Sequence, residues 1–314
     1  MNIKKIINNF KEEGFINAGQ MILTKDEIIE LSNLCNEVYL KLSNDNKGNK
    51  TEKDLIVNKS GNCGFVRVPE HHHRLADLLN KVVSNQKIKE ILEEVLGQDY
   101  KIWQIVFRKS LKGDNGLSLH QDAFGETNMC ILLTDNISGN GSTFFLPKSH
   151  LLKKRIKDYG ITIPLIFLKY ISFLFKSFKG KKGDIGFFFN YTWHGRNLNN
   201  YKDSDVILFS FFPPTAAIGF EEFGYPIWSH DFTRQKTELS KLVDPNRGAI
   251  KREDNRYEII KKDQNSDDPF VIKLHNSSSN VIIKNKLYLY AKISFLYIVC
   301  NTFKPLWALV KKNK

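Results

Sequence analysis

Between Lys101 and Phe212 the chain carries short apolar and aromatic runs, near 101–109, 117–122, 129–134, 143–146, 184–189 and 206–212, set apart by Gly, Asn, Asp and Pro. Runs of four to nine residues are too short for ordinary helices, and their β-branched and aromatic content makes them strands. A series of short strands broken by turn residues closes into a sandwich or barrel. The residues before it read differently. Asn2 to Glu13 is an amphipathic helix ended by Gly14, and Phe15-Ile16 is an extended piece after it. Thr24-Lys25-Asp26-Glu27 is a capping box that opens a helix to about Leu42, Asn44 to Asp54 is a polar loop, and Gln86 to Leu96 is a helix stopped by Gly97. The expected class is therefore mainly β, with helices in front of the strands.

Length and charge narrow what such a chain does. The 314 residues suffice for a sizeable core, and 23 Phe with 11 Tyr suit one built from sheets. A formal charge of +13 and a pI of about 9.4 invite an anionic partner, although scattered lysines are also a plain solvated surface. The sequence has no helix-turn-helix, zinc finger or aromatic-plus-basic RNA platform, so no nucleic acid is expected. Cys35, Cys63, Cys130 and Cys300 are far apart and read as reduced thiols. Met1 to Gly14 lacks the apolar stretch of a secretory signal, and a cytoplasmic chain is expected.

Two apolar stretches carry basic residues. Ile161 to Phe178 belongs to an insertion near 151–182, and Lys169, Ser172 and Lys176 fall on one helical face there. An amphipathic helix lying on a bilayer, on a partner or on the protein's own core fits this better than a span. Leu287 to Val310 repeats the character, with Lys292 and Lys304 inside, so peripheral membrane association through 161–178 and 287–314 is open. Asp244 to Asp268 is charged and polar. The division expected is a main domain over 1–215 and a C-terminal extension over 216–314, ending in an apolar-basic helix.

The chemistry lies in Leu117-Ser118-Leu119-His120-Gln121-Asp122. Residues two apart on a strand share a face, so His120 and Asp122 can grip one divalent metal ion. A third ligand must come from elsewhere, and His150, His194, His230 and His275 are candidates. His71-His72-His73 is a poorer metal box, because consecutive residues do not share a face. His194 ends the run Gly183 to Trp193, which delivers it from a second strand. Two histidines and one carboxylate on one face of a metal leave positions for a cosubstrate and dioxygen, the arrangement of non-heme iron oxygenases.

Several pieces in order resemble the phytanoyl-CoA dioxygenase family of Fe(II)/2-oxoglutarate oxygenases over roughly residues 10–213. They are Phe10 to Phe15, Leu96-Gly97, His120-Gln121-Asp122, Asn140-Gly141-Ser142 with Pro147-Lys148-Ser149-His150, and Gly183-Asp184 leading to Trp193-His194-Gly195. The resemblance implies a double-stranded β-helix, a cupin-like jelly roll with N-terminal helices packed on the sheet. It also implies iron held by His120, Asp122 and His194, with 2-oxoglutarate as cosubstrate. Because Asp122 is kept where related halogenases carry a small residue, hydroxylation of a small or lipid-linked, possibly anionic, substrate is implied.

One position departs from the family. Eleven residues past His194, where an arginine usually pairs with the far carboxylate of 2-oxoglutarate, this chain has Asp205. Two carboxylates about 4 Å apart repel by roughly 4 kcal/mol at an effective dielectric near 20. The cation is expected from Lys202, then Arg196, or else from Arg108 or Lys109 on the first strand, and Gln104 matches a position where the family places an amide against the cosubstrate. The alternatives are a cupin-like metal- or ligand-binding protein without oxygenase activity, and a membrane-surface scaffold.

Overall fold

The helices start and stop where short polar side chains and glycines require. A computed structural model describes residues 2–45, 55–57, 63–67, 72–121, 126–137, 140–151, 171–199, 201–212, 236–242 and 288–298. In α1 (Ile3–Glu13) the Asn2 side chain accepts from the Lys4 amide, and the Gly14 amide closes the far end on Phe10 O. The capping box forms before α2 (Lys25–Asp45): Glu27 N donates to Thr24 Oγ1 at 3.2 Å and Thr24 N to Glu27 Oε2 at 2.9 Å. Two further helices, α3 (His73–Val83) and α4 (Gln86–Leu96), precede the main strands.

Eleven strands follow or interleave: β1 (Phe15–Gly19), β2 (Leu55–Val57), β3 (Cys63–Arg67), β4 (Lys101–Ser110), β5 (Leu117–His120), β6 (Thr127–Leu132), β7 (Thr143–Phe145), β8 (Lys176–Ser177), β9 (Ile185–Phe189), β10 (His194–Arg196) and β11 (Ser204–Phe212). They form a seven-stranded sheet, β1-β9-β6-β11-β4-β3-β2, and a four-stranded sheet, β5-β10-β7-β8. All pairings within them are antiparallel. The protein is thus mainly β with some helices.

Alternation along the strands sorts the core into layers. Ile105, Phe107, Met129, Ile131, Phe187, Ile207 and Phe209 face α1 to α4 and are buried among them. The residues between, Cys130, Leu132, Phe188 and Val206, face the other way and meet Phe145 of the smaller sheet. A third cluster lies on the outer side of that smaller sheet, where Leu119, Phe144 and Trp193 meet Leu289, Ile293 and Leu296 of a last helix, α6 (288–298). The short α5 (Glu238–Leu242) sends Leu239 into the helical layer. Of the described pieces beyond residue 215, α5 thus packs on the helical layer and α6 on the smaller sheet.

The helix expected over 161–178 is corrected at its described end. Residues 152–170 lie outside the described residues; beyond them come a 3-10 turn, Ser172–Leu174, and strand β8, paired with β7. The sheet edge takes this backbone because Lys176 there meets Glu13 at 2.8 Å, a partner that spacing along one helix cannot reveal. Among the described residues no helix is long and apolar enough to cross a membrane.

Gly14 ties the first helix to the sheets. Its φ of 86° is left-handed, and a Cβ there would lie 2.4 Å from His150 Nδ1 and 2.5 Å from Thr192 Oγ1. Thr192 Oγ1 donates to Gly14 O at 3.0 Å, so the clash would fall just ahead of His194. Gly14→Ala is expected to destabilise by about 1–3 kcal/mol, read as a lower urea midpoint with unchanged slope.

Candidate metal centre

β5 and β10 are neighbours, and their register sets His194 directly opposite His120. The ring centroids are 4.3 Å apart. Leu119 points outward into the third cluster, so His120, one residue on, points inward; His194 likewise rests against Phe145 and Phe188 of the inter-sheet layer. Space fixes the residue after it. A Cβ on Gly195 would lie 2.4 Å from Phe144 Cζ and 2.8 Å from Leu117 O, which accounts for glycine in Trp193-His194-Gly195.

Both histidines are held in the same way. His120 Nδ1 lies 2.8 Å from Ser118 O, and His194 Nδ1 lies 2.7 Å from Thr192 O. A carbonyl only accepts, so each Nδ1 carries the hydrogen and each Nε2 keeps its lone pair. Backbone carbonyls fixing the far nitrogen are what orient imidazoles toward a metal. Gln121 Nε2 donates to Tyr191 O at 2.8 Å and ties the end of β5 to the turn that delivers His194.

The third expected ligand, Asp122, lies outside the described residues, as do His230 and His275. Among the described residues no third His, Cys, Asp or Glu joins the pair. His150 does not approach it: its Nε2 sits 2.9 Å from Lys11 O, and its ring lies against Phe189. Of the histidine triplet, His72 and His73 form the start of α3.

The larger sheet's inward face adds a polar row beside this pair. Gln104 Nε2 donates to Ser210 Oγ at 3.3 Å, Ser210 Oγ to Asn128 Oδ1 at 2.7 Å, and Asn128 Nδ2 to Asn190 Oδ1 at 2.5 Å. Among the described residues Gln104 Oε1 is buried without a hydrogen-bond partner. The row was invisible in the sequence except at Gln104, because it needs the register of three adjacent strands.

The charged residues fall differently from expectation. Asp205 does not face the inter-sheet space. It shares a face with Ile207 and Phe209, accepts from Asn36 Nδ2 at 3.2 Å, and stands 3.3 Å from Lys109 Nζ. Strand alternation therefore removes the like-charge conflict anticipated there. Arg196 is buried with Asp114, and Ser110 accepts from its Nη1 at 3.0 Å. Lys202 is exposed in the turn before β11. Arg108 is directly opposite Val206, on the inward face with Gln104 and Val106, and its Nε is buried. Burial pushes the nearby Cys130 thiol up to about 12, with the Arg108 guanidinium acting against that rise.

Comparison with known proteins adds the family. A model described as phytanoyl-CoA dioxygenase (PhyH) matches residues 10–200. No curated protein gives a significant sequence match. The chain is similar in structure to EvdMO1 (TM-score 0.53, 18% identity), covering 68% of this chain and only 50% of EvdMO1. It is also similar to SnoK, a non-heme alpha ketoglutarate dependent carbocyclase from nogalamycin biosynthesis (TM-score 0.51, 15% identity, 67% of this chain and 83% of SnoK). HygX from Streptomyces hygroscopicus, solved with nickel and 2-oxoglutarate bound, has TM-score 0.51 and 11% identity, over 68% of this chain and 88% of HygX. At these identities the likeness is one of fold.

Proposed function

The chain belongs to the phytanoyl-CoA dioxygenase family, and from that premise we propose that it is an Fe(II)- and 2-oxoglutarate-dependent dioxygenase that hydroxylates a small or lipid-linked, anionic molecule. The observation that carries this reading is the cross-strand pair of His120 and His194, each with Nδ1 held on a backbone carbonyl. Asp122, two residues past His120, completes the donor set as the carboxylate, and two imidazoles with one carboxylate suit iron(II). Bound there, iron and 2-oxoglutarate would supply the oxidation of a C–H bond by dioxygen. The protein's part is to hold the ligands rigid, exclude water with Phe145 and Phe188, and seat the cosubstrate.

The fold reading that goes with it is a jelly roll. From β4 to β7 successive strands alternate between the larger and the smaller sheet, and so do β9, β10 and β11. That order is the one a double-stranded β-helix produces. The main domain runs over 1–215, with α5 and α6 of the extension over 216–314 laid against it.

For the far carboxylate of 2-oxoglutarate the reading uses Arg108. It stands across from Val206, four residues from Gln104 along β4, or about 13 Å at roughly 3.3 Å per residue. Gln104 belongs to the row that passes through Asn128, opposite the Phe188 whose ring lies against His194. A guanidinium on this inward face is the charge that would pair with the far carboxylate of the cosubstrate, and the Gln104 amide stands on the same face of β4. Lys109 lies on the opposite face of β4 with Asp205, and Arg196 is buried with Asp114. The rival reading, a metal-binding protein without oxygenase activity, leaned on Asp205, and that carboxylate belongs to the opposite face.

Anaerobic addition of Fe(II) and 2-oxoglutarate to metal-free protein is expected to give the visible charge-transfer band of the chelate. In Arg108→Gln the 2-oxoglutarate concentration for half the band should rise at least about tenfold, the loss of one charge-assisted hydrogen bond, while Lys202→Ala titrates as wild type. Iron binding without a band in the wild-type protein would sink the oxygenase reading. A band with unaltered titration in Arg108→Gln would hand the carboxylate to another cation.

A further inference from the structure

α6 has two apolar sides, and the fold uses one. Leu289, Ile293 and Leu296, spaced as one helical stripe, are buried against the outer side of the four-stranded sheet at 3%, 4% and 0% exposure. Its exposed half is edged by aromatic rings, Tyr288 and Phe295 along one flank of the stripe at 62% and 43% exposure, and Tyr290 and Tyr297 along the other at 48% and 49%. The 3-10 turn at Ser172–Leu174 extends this surface: Phe173 is 73% exposed, and its ring lies 6.2 Å from that of Phe295. Segments over a hundred residues apart thus meet in one exposed patch, Phe173 against the Phe295 and Tyr288 flank of α6. Contiguous apolar surface of this kind on a monomer marks a binding face.

Charge selects the partner. From 159 to 183 the sequence has five lysines and no Asp or Glu, and from 269 to 314 it has eight lysines and again neither acid. These are the segments that supply Phe173 and α6. Within the face, Lys292 Nζ lies 4.4 Å above the Tyr288 ring, a cation held at the level of the aromatics. Aromatic rings with a lysine beside them, on segments whose sequence carries no Asp or Glu, suit a surface that is apolar below and negative above. At 1.5 Å per residue the described part of this helix, 288–298, is about 16 Å long, short of a span.

We propose that the exposed half of α6, with Phe173 beside its Phe295 flank, docks this protein on an anionic bilayer surface. α6 covers the outer side of the sheet whose inner side carries His120 and His194, so docking brings the candidate centre to the membrane. The inference stands apart from the oxygenase reading, since it uses no residue of that centre.

Full-length protein is mixed with vesicles of phosphatidylcholine, with and without phosphatidylserine, and sedimented. Binding is expected to the phosphatidylserine vesicles and to weaken with salt. It should fall at least about tenfold in Phe173→Ser/Phe295→Ser/Tyr297→Ser, exposed positions whose change leaves the thermal midpoint in place. Leu40→Ser, an exposed apolar residue on α2, should bind as wild type. Equal sedimentation of the triple variant and wild type, or no sedimentation with phosphatidylserine, would overturn the proposal. So would a wild-type dimer in velocity sedimentation that the triple variant dissolves, since a second copy would then own the face.

Discussion

His194→Gln is expected to abolish the iron-dependent reaction while leaving the fold intact. Glutamine nearly keeps the volume of the ring that rests against Phe145 and Phe188, and it sits in a strand paired on both sides, with β5 and with β7. What it loses is the Nε2 lone pair that Thr192 O sets in place through Nδ1. Removing only the outer hydrogen-bond partner of a ligating histidine typically costs 10–100-fold in metal affinity, so removing the ligand should cost more than about 100-fold. Equilibrium dialysis with Fe(II) measures this directly, and near-ultraviolet circular dichroism checks the fold. Unchanged iron stoichiometry and affinity in the variant would show that the two histidines do not form a metal site. Loss of turnover alone would not distinguish a damaged cavity from a missing ligand, which is why the metal titration decides.

The strands that build the centre were legible because they are short, aromatic and bounded by turn residues. β4, β6, β9 and β11 fall within a few residues of the positions their patterns predict. Asn2, the Thr24–Glu27 box and Gly97 gave α1, α2 and α4 for the same kind of local reason, a polar cap or a left-handed stop. α3 hid behind the histidine triplet that precedes it, which draws the eye to metal chemistry instead of to Leu75, Leu78, Leu79 and Val82. The pairing of His120 with His194 could be guessed, but its register could not. Least readable was the fate of charges. Whether Asp205 faces the cosubstrate or α2 depends on the single-residue phase of β11, and a one-residue slip would reverse it. Arg196 looked like a cation beside the site because Asp114, its partner, is eighty-two positions away in sequence.

That ion pair carries the largest expected effect on stability. Arg196 and Asp114 are both buried, and three more contacts lock the loop around them: Ser110 Oγ donates to Asp114 Oδ2 at 2.7 Å, Asn199 N to Asp114 O at 2.9 Å, and Asn199 Nδ2 to Ser110 O at 2.9 Å. The arrangement clamps the β4–β5 connection onto β10, two residues past His194. Asp114→Ala takes the carboxylate from a buried guanidinium, and breaking a buried pair from one side costs about 3–5 kcal/mol. Asp114→Leu with Arg196→Met removes both charges and fills the space, so it should cost far less than the single change. Guanidinium unfolding of the two variants tests the ordering. Because β5 and β10 are joined through this loop, the single variant should also bind iron more weakly than its loss of folded fraction explains. If instead Arg196→Met alone leaves stability untouched and raises the 2-oxoglutarate requirement, the arginine serves the cosubstrate and the buried pair with Asp114 is not its role.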